Sequence, residues 1–137
     1  MKKNFDEWNE IKKKTDNNNF YITLKSREIY WLKMGENVGY EQSGKGDKFL
    51  RPVIIIKQLN KHLFLGIPTS TTFREESNFF YPFEYKSKKG NIKITALIVQ
   101  LKVFSVKRVL SKIGMMNKDD FENLLEKTHN LIDPTKR

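Results

Sequence analysis

Three groups of residues in this chain have the types and spacing to handle a phosphodiester. Arg51 stands before Pro52 and the apolar run Val53-Ile54-Ile55-Ile56. Proline holds the residue before it in extended backbone, so this guanidinium is pre-positioned to grip a phosphate through two parallel hydrogen bonds. Thr69, Ser70 and Thr71 follow Pro68 and bring hydroxyl donors that can reach the same anion. Glu41, in the loop Gly39-Tyr40-Glu41-Gln42 that runs on through Gly44-Lys45-Gly46, supplies a carboxylate suited to general-base work. Such a set needs no metal if the substrate is RNA. The neighbouring 2′-hydroxyl is then the nucleophile, and proximity supplies what a metal would otherwise arrange. Glu41 takes the proton and Arg51 stabilises the crowded phosphate.

These groups meet only if the chain brings them together. Pairing Val53 to Lys57 with Leu63 to Ile67 about the Asn60-Lys61 turn puts Arg51 and Ser70 at the same end, opposite that turn. Each group also has a plainer reading: a strand-start Arg facing water, a Thr-Ser turn after proline, and a surface carboxylate paired with a lysine. A nucleotide-triphosphate site is the other candidate, because Gly39 to Gly46 fits G-x-x-x-x-G-K-[ST] in all but its last position. That position is Gly46, without the hydroxyl that binds magnesium, and a strand follows where a helix should open.

Composition narrows the classes. The chain has 137 residues, enough for a single core, and is expected to be one domain. It has no cysteine and two histidines, His62 and His129, far apart, so disulfides, thiolate metal sites and a histidine acid/base pair are not expected, nor is any metal or cofactor. The N-terminus turns acidic and amphipathic where a signal peptide needs an apolar run, and no segment approaches membrane-spanning length. A soluble cytoplasmic protein without a membrane partner is the expectation. The net charge of +10 pulls on polyanions without choosing among them, and a solvated lysine-rich surface explains it equally well.

The positioning elements are mostly strands. Phe5, Trp8 and Ile11 recur at helical spacing after Asn4, which predicts an N-terminal amphipathic helix, with residues 1–19 as helix and loop. Glu28 to Leu32 reads as a first strand and Val53 to Lys57, apolar on both faces, as a central one. Phe79 to Tyr85 carries Pro82, which marks an edge or a bulge. Ile92 to Val99 and Leu101 to Phe104 complete a small antiparallel barrel or strongly curved sheet. A helix over 117–132 closes the chain, capped by Asn117 and apolar at Phe121, Leu124, Leu125, Leu131 and Ile132.

Taken in order, Ile29-Tyr30-Trp31, Gly35 to Gln42, Arg51-Pro52-Val53-Ile54-Ile55, Gly66-Ile67-Pro68-Thr69-Ser70 and Gln100-Leu101-Lys102 resemble the PemK/MazF family, the toxin endoribonucleases of bacterial toxin-antitoxin modules. The likeness runs from about Arg27 to Gly114. It implies a mainly β fold, an SH3-like barrel over 27–114 with a C-terminal helix, to which this chain adds its N-terminal helix. It also implies a homodimer that cuts single-stranded RNA, with messenger RNA the expected target. The cut is metal-free and leaves a 2′,3′-cyclic phosphate, and a cognate antitoxin blocks the RNA groove. By position Arg51 resembles the family's catalytic Arg, Ser70 stands where a catalytic Thr is usual, and Glu41 matches the Glu of G-x-E-Q.

Two departures qualify the likeness. Val99 occupies a position that is acidic in some members. The loop between Gln42 and Arg51 is long, and its Lys45 and Lys48 are candidates for RNA contacts, as are Tyr40, Gln42, Thr69 and Thr71. Bases can stack on Tyr40, Phe73 or Phe79. The alternatives are a non-enzymatic toxin resembling the CcdB-type gyrase inhibitors and a catalytically dead module that binds RNA or DNA.

Overall fold

The computed structural model describes residues 22–34 and 50–136. The expected N-terminal helix over 1–19 and the loop bearing Tyr40, Glu41, Gln42, Lys45 and Lys48 lie outside the described residues. The strands are β1 (Glu28–Lys33), β2 (Leu50–Gln58), β3 (Leu63–Ser70), β4 (Phe80–Ser87), β5 (Gly90–Leu97), β6 (Lys102–Ser105) and β7 (Val109–Met115), followed by one helix, α1 (Lys118–Ile132). They form a curled antiparallel sheet in the order β4-β5-β3-β2-β1-β7, with β6 paired to β3 off that path.

β2 is apolar on both faces because each face meets a separate core. Ile54 and Ile56 pack with Ile67, Phe83, Phe121 and Leu124. Val53 and Ile55 turn the other way, onto Leu32, Phe64, Phe104 and Val109. A strand between two cores cannot alternate polar with apolar, which is why its sequence reads as an unbroken run. β4 ends the strand order, in keeping with Pro82, whose missing N–H an edge tolerates.

β3 changes partners along its length. Leu63 to Gly66 pair with β6, while Thr69 and Ser70 pair with β5. Close packing favours glycine at 66, the last residue paired with β6, since a Cβ there would sit 2.7 Å from Val53 Cγ1 and 3.1 Å from the Phe104 ring. β7 has no counterpart in the strands read from the sequence, which ended with Leu101 to Phe104. Its pairing with β1 is irregular on both sides of Tyr30-Trp31, leaving Leu110 and Ile113 out of register. Bulges of this kind break the period-two pattern by which a strand is recognised. The Tyr85 ring lies against Gly114, where an added Cβ would clash with its Cδ2 and Cε2.

The helix begins as its cap predicts, with Asn117 Oδ1 accepting from the Asp120 N–H at 2.8 Å and Asp119 and Asp120 in the first turn. Phe121 and Leu124 are buried, whereas Ile132, expected on the same apolar face, is 63% exposed at the last helical position. The Tyr81 hydroxyl donates to Asp120 at 2.6 Å and joins β4 to α1. Burial first, then that carboxylate, pushes its pKa up to about 12. Among the described residues no helix is long and apolar enough to cross a membrane.

Candidate functional site

Arg51 and Ser70 converge as the hairpin argument requires. β2 and β3 are registered through Val53 opposite Pro68, which leaves Arg51 and Ser70 just beyond that pair at the same end of the hairpin. Arg51 Nη1 donates to the Thr69 carbonyl at 2.9 Å, and that carbonyl belongs to the peptide bond that carries Ser70. Thr69 Oγ1 in turn donates to the Pro52 carbonyl at 2.9 Å, so the Arg51-Pro52 and Thr69-Ser70 pairs interlock.

The guanidinium does not face open solvent, as the plainer reading of a strand-start Arg would have it. Arg51 is only 4% exposed, because alternation along β2 puts it on the face of Val53 and Ile55. Burial pushes its pKa below the ordinary guanidinium value, yet an Arg stays charged under all ordinary conditions. A cation already stripped of much of its water, in surroundings of low polarity, attracts an arriving anion more strongly than one in bulk solvent.

Ser70 is buried and accepts from the Thr72 N–H at 3.1 Å, a serine turn that fixes the first residues past β3. Thr95, directly opposite Ser70 on β5, donates from Oγ1 to the Thr72 carbonyl at 3.3 Å. This threonine was not picked out from the sequence. Its one signal is a lone hydroxyl in the apolar run Ile94 to Val99. Thr69 is buried and spoken for by Pro52, while Thr71 is exposed just beyond the strand.

Two hollows flank this corner and share Thr71 and Ile94 on their walls. The smaller, about 440 Å³, is lined by Phe73, Pro82, Glu84, Lys93, Thr95 and Asp120 among others. The larger, about 930 Å³, lies between β7 and the β4-β5 hairpin, with Trp31 and Pro52 beside Lys86, Lys88, Lys89 and Lys112. Lys112 also pairs with Glu28 at 2.9 Å. Burial alone would raise the Glu28 pKa. Lys112, the Lys25 N–H and the Tyr30 hydroxyl outweigh it and hold that carboxyl below its usual value. Burial, with Glu28 adding to it, pushes Tyr30 up to about 12.

The structure therefore brings together Arg51, Ser70, Thr69 and Thr71. Glu41, Tyr40, Gln42, Lys45 and Lys48 lie outside the described residues. Val99 is 55% exposed on the short 3-10 turn Ile98–Gln100, next to Gln100. Among the described residues no three His, Asp or Glu side chains gather as a cation site requires. A search of the curated proteins finds no match to the chain. The profile of one family, described as PemK-like, MazF-like toxin of type II toxin-antitoxin system, matches residues 25–132.

Proposed function

The chain belongs to the PemK-like, MazF-like toxins of type II toxin-antitoxin systems, and from that premise we propose that it is a metal-independent endoribonuclease acting on single-stranded RNA. The observation that carries the reading is the Arg51 guanidinium resting 2.9 Å from the carbonyl of the Thr69-Ser70 peptide. One cation and one hydroxyl thereby share a corner into which a phosphate can be drawn.

In the reaction the 2′-oxygen forms a bond to phosphorus as its proton passes to Glu41, and the bond from phosphorus to the 5′-oxygen breaks. The products are a 2′,3′-cyclic phosphate and a 5′-hydroxyl, the latter taking its proton from solvent. Arg51 stabilises the negative charge that builds on the phosphoryl oxygens, and Ser70 donates to one of them. The lysines of the larger hollow track the backbone of the strand. We assign the whole chain to one domain that works as a homodimer in the cytoplasm, and a type II family implies a protein antitoxin as its neutralising partner.

Incubating the purified protein with mixed-sequence RNA in EDTA and mapping the ends is the deciding experiment. New 5′-hydroxyl ends support the reading. Intact RNA in the presence of well-folded protein sinks it. A binding protein of the same fold without catalysis is the second reading, and it draws on the burial of Arg51 and on the exposed Val99. It predicts RNA retained but uncut.

A further inference from the structure

Arg51 reaches the Thr69 carbonyl beside Ser70, and the row that holds Ser70 passes across the sheet to Thr95 on β5 and ends at Pro82 on β4. Residues directly opposite in antiparallel strands share a face, so the row leads from the candidate phosphate site to the smaller hollow. At its mouth stands Phe73, 73% exposed, a large apolar ring with no core to enter. On its wall Glu84 and Lys93 face each other as register partners.

The polar groups of this wall are not equally available. Asp120 already accepts from Tyr81 at 2.6 Å and from Asn117 Nδ2 at 2.8 Å. Thr95 is spent on the Thr72 carbonyl. Glu84 and Lys93 are both exposed, and no ion pair joins them or ties either to another of the described residues. A carboxylate and an ammonium on neighbouring strands thus line the same hollow as an exposed aromatic ring.

We propose that this hollow is a base-selecting subsite that takes a guanine adjoining the scissile phosphate. Guanine alone among the four bases offers two neighbouring N–H donors, at N1 and N2, which a carboxylate accepts together through its two oxygens. Its O6 acceptor lies on the same edge, within reach of an ammonium beside that carboxylate. Glu84 takes the two donors, Lys93 takes O6, and Phe73 stacks on the base plane. An acidic peptide is a poor occupant, since Glu84 and Asp120 both repel it. The inference rests on the endoribonuclease reading for the identity of the strand and for nothing else.

The test measures binding of short 2′-O-methyl RNAs, which lack the nucleophilic hydroxyl and survive uncut. The set carries guanosine, inosine, adenosine, cytidine or uridine at one position in an otherwise constant strand, walked along the sequence. At one position guanosine should bind roughly ten- to hundredfold tighter than the others, and inosine, without the N2 amino group, should fall back toward them. Glu84→Gln should level guanosine with inosine. Phe73→Ala should weaken all bases roughly tenfold or more, and Phe73→Trp should restore binding and be quenched by it. No guanine preference at any position, or a preference that survives Glu84→Gln, overturns the subsite, and tighter binding of an acidic peptide than of RNA does so too. A protein that cuts RNA yet fails these tests loses the subsite alone. One that passes them yet cuts nothing loses the catalytic reading alone.

Discussion

Replacing Arg51 by methionine separates what this side chain does for the fold from what it does for chemistry. The hydrogen bond from its charged Nη1 to the Thr69 carbonyl, 2.9 Å long and buried, is of a kind that stabilises by about 1.5–3 kcal/mol. Methionine fills much of the volume, so little cavity cost is added, and the desolvation penalty of the guanidinium disappears with the charge. The expected net loss is about 1–2 kcal/mol. Even a domain with only about 5 kcal/mol of stability would then remain more than roughly 99% folded. Cleavage should fall by at least about 10²-fold, the typical cost of losing one donor to a charge that develops in the transition state. Urea unfolding gives the first quantity and single-turnover cleavage at saturating enzyme gives the second. Arg51→Lys, which keeps the charge without the planar fork, should fall between the two. Cleavage within tenfold of the parent, from protein whose urea midpoint has moved by less than about 0.5 kcal/mol equivalent, would refute both assignments together.

Other perturbations test other parts of the molecule. The Glu28 pKa is depressed, so its contribution is fully present above the ordinary value of 4.5 and is lost as pH falls through the lower folded value. Glu28→Gln should lower stability by about 1–2 kcal/mol at neutral pH and flatten the acid limb of the stability curve, measured by urea titration at several pH values. Gly114→Ala forces a methyl group into the Tyr85 ring and should cost about 1–3 kcal/mol in thermal or urea unfolding, with Tyr85→Leu in the same chain recovering part of it. Removing Lys45 and Lys48 together should weaken RNA binding across sequences and reduce the slope of log affinity against log salt by about 1.4. A change of preferred cut site instead would make them base readers.

How much of this was legible in the sequence depended on whether a local pattern survived the tertiary structure. The hairpin of β2 and β3 was legible because Asn60-Lys61 punctuates two apolar runs, and it put Arg51 at the end of the hairpin where its guanidinium meets the Thr69 carbonyl. The cap at Asn117 and the edge at Pro82 were legible because each rests on a single residue's backbone chemistry. β7 was hidden by its two irregularities, which scramble inward and outward positions in Val109 to Met115. The burial of Arg51 could have been inferred from its even spacing with Val53 and Ile55. It was missed because the charge itself argues for solvent. The pairing of Glu84 with Lys93, and of Thr95 with Ser70, depends on long-range register that no local pattern encodes.

Arg27 adopts a left-handed backbone, φ 81°, a conformation that ordinary side chains seldom take without compensation. Its N–H donates to the Ile55 carbonyl at 2.9 Å, its carbonyl accepts from the Met116 N–H at 2.8 Å, and its Nε reaches the Met116 carbonyl at 3.0 Å. One residue therefore rivets the start of the sheet to its middle strand and to the lead-in of the terminal helix, far along the chain. Such a clasp holds the segment leading into that helix to the strands. Amide protons at Arg27 and Met116 should accordingly exchange with deuterium only as fast as the entire molecule opens, rather than with the quicker fraying usual near chain ends.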